Sequence, residues 1–303
     1  MRHIFNRREW LSIPGAVTNE DGGGSAAHSA WLLDGATGLP QERLLPGDSD
    51  AQWLVSEACS FFGRPTGPGQ LTTPESPADR GRAAQHLAAL SAFLTRRFQE
   101  ARVRAPSRNR LDELPSASLA LAMIEGQSLT IANIGDCRTL VRFAGGATRQ
   151  FGDSPVTALD AQVVTRLVEL QQADSNATYR ALRSALAPLI RGNRLLKNQP
   201  NGYWVLEPVQ SWVQYVQYFT VRVEPGTTVL MLSDGFYRLV DHYHLYSDET
   251  LFAAAVNHGL EVLAQRLRQL EDGDPECRTY PRLKPRDDVT ALLLTVDAVS
   301  GER

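Results

Sequence analysis

Two apolar runs of strand length end on the same dipeptide: Ala30-Trp31-Leu32-Leu33 runs into Asp34-Gly35, and Val229-Leu230-Met231-Leu232-Ser233 into Asp234-Gly235. A short unbroken apolar run bounded by a turn signal reads as a strand buried on both faces. Each such strand therefore delivers a carboxylate at the edge of a covered sheet. Asp-Gly is also an ordinary turn dipeptide, and either occurrence alone supports no more than a turn. The pair gains weight because other acids also stand at strand ends. Asp136 closes the run Leu129 to Gly135, Asp287 and Asp288 open the final run Val289 to Val296, and Glu20-Asp21 precede the strand leading to Asp34. If the sheets bring these ends together, several carboxylates share a small volume and cannot all stay ionised without cations between them.

The rest of the chain supplies covers for such sheets. Ala51, Leu54, Val55, Ala58, Phe61 and Phe62 fall at helical spacing between Asp48 and Gly63, and Leu87, Leu90, Leu94 and Phe98 mark a second helix over Arg80 to Val103. A Pro/Gly/Thr-rich loop, Arg64 to Pro77, separates them. From Ser116 the period changes to alternation, in SLALAMI, LTIANIG, RTLVRF and TRQF, which predicts an antiparallel meander. Helical patterns over Ala158–Gln172 and Ala177–Leu196 follow, then strands at YWVL, YFTVRV and TTVLMLS, two helices in Ser247–Leu270 and the closing strand. Strands in blocks, with helices before, within and after them, give an α+β class with helix-covered sheets, not alternating βαβ units. The whole of 1–303 is expected to be one domain.

Composition narrows the function. Thirty-one basic against 34 acidic residues, net charge −3, give no basic field for a nucleic-acid backbone. No apolar run is long enough to span a membrane, and the basic start MRHIFNRREWLSIPG lacks the apolar core of a secretory signal. Three cysteines, Cys59, Cys137 and Cys277, follow no metal or disulfide spacing and suit a reducing cytoplasm. The arginines clustered from Arg96 to Arg110 read as a solvated helix end, and the scarcity of lysine, only Lys197 and Lys284, as codon bias.

Oxygen-only ligands at the clustered acids suit magnesium or manganese, whereas zinc would call for His or Cys beside them. The pair His242-x-His244 lies in a helical region, where its rings diverge. Two hard cations sharing a water drive in-line attack on phosphorus. Neither G-x-S-x-G nor a cysteine in a phosphate-cradling loop offers a competing nucleophile, so phosphate-ester hydrolysis by metal-bound water is the chemistry expected.

The order NED (Asn19 to Asp21), LLDGATG (Leu32 to Gly38), SASLALAMIEGQSLTIANIGDCR (Ser116 to Arg138), LMLSDGF (Leu230 to Phe236) and RDDVTALLL (Arg286 to Leu294) resembles the type 2C metal-dependent serine/threonine protein phosphatases over nearly the whole chain. The resemblance implies two packed antiparallel sheets flanked by helices on both faces, a four-layer αββα sandwich. It implies that Asp34 bridges two Mn2+ or Mg2+ ions, that the Gly35 carbonyl ligates one, and that Asp234 and Asp287 complete the other site. Asp136 would join Asp234 around a third, weaker ion, as in bacterial relatives. Glu20 and Asp21 would orient bound waters or ligate at the edge, and the insertion 157–198 would be the flap beside the site. The implied substrate is a phosphorylated protein, in bacteria one that a serine/threonine kinase has modified. Three positions depart from the family pattern. Ala16 stands where an arginine commonly clamps phosphate, Ala36 where eukaryotic members carry histidine, and Asp288 replaces asparagine and adds charge near the ions. A catalytically silent module that binds a phosphoprotein is the alternative these gaps leave open.

Overall fold

Alternation along the apolar strands splits their side chains between two layers of core. In the strand after Thr227, Val229 and Met231 point into one cluster and Leu230 and Leu232 into another. In the strand ending near Asp34, Ala30 and Leu32 join the first cluster, and Trp31 and Leu33 join a third. Continuous apolar runs arise because both faces of these strands are covered.

The computed structural model describes residues 2–38, 43–64, 81–103 and 113–299. Its first strands are β1 (Arg2–Ile13), β2 (Gly22–Ala26) and β3 (Ser29–Ala36), followed by helices α1 (Asp50–Phe62) and α2 (Gly81–Ala101). Then come β4 (Ser116–Glu125), β5 (Ser128–Ile134), β6 (Arg138–Arg142) and β7 (Thr148–Phe151). The insertion holds α3 (Val156–Ala173), α4 (Tyr179–Ala185) and α5 (Ala187–Arg194). β8 (Gln217–Arg222), β9 (Thr228–Leu232), α6 (Asp234–Asp241), α7 (Asp248–His258), α8 (Leu260–Asp272) and β10 (Val289–Val299) complete the order.

Two five-stranded antiparallel sheets result, β1-β10-β9-β6-β7 and β2-β3-β4-β5-β8. The cluster between them includes Leu32, Ala120, Ile131, Met231 and Leu292. Leu54, Leu87, Leu90 and Leu94 of α1 and α2 cover the outer face of the second sheet, and Phe236, Phe252 and Leu263 of α6, α7 and α8 cover the first. This is the four-layer α+β sandwich expected.

Helix α1 starts where Ser49 accepts from the Gln52 N–H and stops at Gly63. The expected loop lies outside the described residues from 65 onward, as do Arg104, Arg108 and Arg110.

Several local expectations fail for identifiable reasons. The predicted meander is divided: β4 and β5 belong to one sheet and β6 and β7 to the other, the chain crossing at Gly135–Cys137. The helix expected over 177–196 breaks at Leu186, two residues before Pro188, which has no N–H to donate. YWVL forms no strand and makes only isolated bridges, Tyr203 with Lys197 and Leu206 with Ala117. β1 and β2 were not foreseen. A register shift between Arg7 and Glu9 interrupts the alternation of β1, and β2 opens on three glycines, Gly22 to Gly24, because Trp10, Trp31 and Val55 occupy the space their side chains would fill.

Candidate active site

Asp34 sits inside β3, opposite Ser118 of β4, and Asp136 occupies the crossing between β5 and β6. The Ser118 hydroxyl donates to Asp136 Oδ1 at 2.5 Å and accepts from the Asp136 N–H at 3.1 Å, which fixes that carboxylate against β4. Asp234 opens α6, where the helix dipole favours a negative side chain, and Asp287 immediately precedes β10.

Neither Asp-Gly dipeptide is a turn. Gly35 continues β3, where a Cβ would come within 2.3 Å of the Glu20 carbonyl oxygen, and Gly235 lies in the first turn of α6, where a Cβ would come within 2.0 Å of the Asp288 carbonyl oxygen. Both glycines are needed because another stretch of site backbone passes directly over them.

Asp34, Gly35, Asp136, Asp234 and Asp287 line one cavity of about 420 Å³. The Asp234 N–H donates to Asp34 Oδ2 at 3.3 Å across the two sheets. The insertion helices contribute Asp160, Val163, Arg183 and Arg194 to the same cavity. A neighbouring cavity of about 410 Å³ shares Arg138, Thr157, Tyr237 and Asp241 with it.

Asp21 lies behind this lining. Neither of its carboxylate oxygens has a hydrogen-bond partner although both are buried. Burial, then the charge of Asp288, holds its carboxyl well above the usual range, and the nearby Thr290 hydroxyl only tempers this. Burial followed by Asp21 and Asp234 pushes Asp34 up strongly, and burial followed by Asp234 pushes Asp136 up. Burial raises Asp160 to about 7 and Asp241 to about 6, with Asp234 contributing to both. Asp287 moves the other way: Lys284 and Arg238 outweigh its burial and hold it low. Lys284 Nζ lies 2.5 Å from Asp287 Oδ1, and Arg238 Nη2 lies 2.5 Å from Oδ2.

Glu20, expected at the edge of the site, and Asp288, expected to add charge near it, have partners of their own. Glu20 accepts from the Thr37 hydroxyl and backbone N–H. Asp288 accepts from the N–H groups of Gly15 at 2.7 Å and Glu20 at 2.8 Å. Its added charge therefore fastens the 15–20 loop as well as opposing Asp21. His244 Nδ1 meets the Val240 carbonyl, and Ala16 is exposed. Arg238, Lys284, Asp160 and Ser118 were not singled out from the sequence. Arg238 had a readable signal, four residues beyond Asp234 on one helix face.

A family model described as Protein phosphatase 2C matches residues 16–272. The chain belongs to the protein phosphatase 2C family.

Solved structures of similar fold include the catalytic domain of the serine/threonine phosphatase PstP in complex with two manganese ions, at 16% identity and TM-score 0.52, covering 98% of this chain and 100% of that one. Mycobacterium tuberculosis PstP/Ppp and Pseudomonas aeruginosa PppA, described as a regulatory component of T6SS, each give TM-score 0.51 at 16% identity with the same coverage. No curated protein matches the sequence.

As a phosphatase 2C site, the cavity fits a hard cation unevenly. Around Asp34, Asp136 and Asp234 the donors are all oxygens, and the unpartnered buried carboxyl of Asp21, held above its usual range where no cation faces it, is a group that a cation would satisfy. Asp287 already has two cationic side chains. Among the described residues no three His, Cys, Asp or Glu side chains are grouped so that they could hold a metal ion as they stand.

Proposed function

We propose that this phosphatase 2C chain hydrolyses phosphoserine and phosphothreonine on proteins, with Mn2+ or Mg2+ as cofactor. The observation that carries the reading is the shared cavity: Asp34 and Asp136 from one sheet meet Asp234 and Asp287 from the other beneath an insertion of three helices. Asp34, Asp136 and Asp234 would hold the divalent cation, with the Gly35 carbonyl beside them and Asp21 supplying negative charge from behind. When bound, such an ion activates water and neutralises charge on a phosphoryl oxygen.

The chain's own groups then do four things. Asp34 and Asp234, joined by the 3.3 Å hydrogen bond, fix the spacing of the ligand oxygens across the sheets. Ser118 holds Asp136 in one orientation. Glu20, through Thr37, ties the loop before β2 to the end of β3 and so positions the entrance. Val163 and Ile190 of the insertion restrict water access from the flap side. The three cysteines are free, in keeping with a cytoplasmic setting, and among the described residues no helix is long and apolar enough to cross a membrane. The substrate proposed is a protein phosphorylated by a serine/threonine kinase.

The deciding assay is manganese-dependent release of phosphate from p-nitrophenyl phosphate and from phosphoserine and phosphothreonine peptides. Asp34→Asn and Asp234→Asn should each lose at least about a hundredfold in kcat/KM. No turnover by the wild type with any divalent ion would favour the silent phosphoprotein-binding module, to which Ala16 and the occupied Asp287 already point.

A further inference from the structure

Asp287 is the most heavily engaged carboxylate of the cavity. A carboxylate offers about four lone-pair positions, and three are taken: Lys284 Nζ at 2.5 Å and the Asp288 N–H at 3.1 Å on Oδ1, and Arg238 Nη2 at 2.5 Å on Oδ2. Arg238 is not a stray surface partner. Its side chain is 13% exposed, and its other terminal nitrogen lies 3.8 Å from Glu271 Oε1, whose side chain is wholly buried. Arg268 pairs with the same Glu271 at 2.5 Å and donates to the backbone carbonyl of Asp287 at 2.8 Å. Side chain and backbone of Asp287 thus belong to a buried, alternating chain of charges.

The other carboxylates of the cavity have no such direct partners. Among the described residues no cationic side chain forms an ion pair with Asp34, Asp136 or Asp234, the Asp34 and Asp234 side chains share a hydrogen bond, and both oxygens of Asp21 lack a partner. Asp287 is neutralised by direct ion pairs, and among the described residues no cationic side chain touches Asp34, Asp136 or Asp234.

We infer that Arg238 and Lys284 stand in for one of the divalent ions at Asp287, so that the cavity takes a single tightly held ion at Asp34, Asp136 and Asp234. This rests on the proposed metal dependence. A second ion at Asp287 would have to displace two cations whose ammonium and guanidinium groups already sit on its ligand oxygens, at the cost of stripping Arg238 from a buried network. The half-exposed Lys284 is the removable member of the pair, its side chain being 56% accessible.

The test is to count ions. The full chain, stripped with chelator, is dialysed against graded free Mn2+ and the bound metal measured by mass spectrometry. Wild type should saturate at one Mn2+ per chain, and Asp34→Asn should lose it. Lys284→Ala should gain a second site, binding at least tenfold tighter than any further uptake by wild type. Lys284→Arg, which keeps the charge, should remain at one. Two ions of comparable affinity in wild type would overturn the inference and leave the metal reading intact. One ion in wild type with no gain in Lys284→Ala would likewise overturn it. No uptake by wild type would remove the metal reading itself and the inference with it.

Discussion

Replacing Asp160 by asparagine in chelator-treated protein should flatten the dependence of stability on pH. Burial, then the charges of Asp136 and Asp234, lifts this carboxyl from 3.8 to about 7, against the pull of Arg194 and Arg238. The unfolded chain has given up the proton above about pH 4, whereas the fold keeps it to about 7. Between those values the fold binds more protons than the unfolded chain, so stability falls as pH rises through the window. Three units at about 1.36 kcal/mol each would give about 4 kcal/mol, and partial exposure of the side chain brings this to about 2 kcal/mol. Asparagine has no proton to lose. The stability of Asp160→Asn relative to wild type should therefore rise by about 2 kcal/mol from pH 4 to 8, or several degrees in Tm. Other raised carboxyls, Asp241 among them, are present in both proteins and largely cancel. Thermal and urea unfolding with EDTA across this range measures the difference directly. Saturating manganese should shrink it, because positive charge beside Asp136 and Asp234 relieves the repulsion. Parallel stability curves at every pH would refute the reasoning.

Gly235→Ala should destabilise the fold by about 2 kcal/mol and weaken manganese binding, because its Cβ must push away the Asp288 carbonyl oxygen, 2.0 Å from the ideal position; urea unfolding and a manganese titration check this, and an unchanged midpoint would contradict it. Lys197→Ala should cost about 3–5 kcal/mol, since the ammonium is buried, donates to the Leu114 carbonyl at 2.6 Å and lies 3.4 Å from Glu207; a Tm within a degree of wild type would count against that. Ala16→Arg should lower KM for an aryl phosphate with kcat held, and an unchanged KM would mean that the loop at Ala16 does not face the phosphate.

The layers of the fold were legible because both faces of β3, β4 and β9 are covered, which writes them into the sequence as apolar runs. Helices α1 and α2 were legible from spacing and, for α1, from its ends. The carboxylates of the cavity were legible from their recurrence at strand ends. What escaped reading depends on contacts between distant segments. β1 carries an irregularity that breaks its period, and β2 has given up side chains to make room for Trp10 and Trp31. YWVL has the composition of a strand but finds only two isolated partner residues, Lys197 for Tyr203 and Ala117 for Leu206. The two lysines, taken as a matter of composition, each hold a buried carboxylate, Lys197 at Glu207 and Lys284 at Asp287. No local pattern distinguishes such a lysine from a solvated one, and Asp160 is likewise an unremarkable charge on a helical pattern until the fold sets it facing Asp136.

Because each sheet brings half of the acidic cavity, the alignment of its oxygens is also a gauge of how the two sheets lie against each other. A slip of one sheet along the other would spoil that alignment before any strand came apart. Substitutions at Met231 or Ala120, deep in the seam and remote from solvent, thereby reach the ion through geometry alone. In the other direction, an ion gripped from both sides would rivet the sandwich, making its departure and the parting of the sheets a single event.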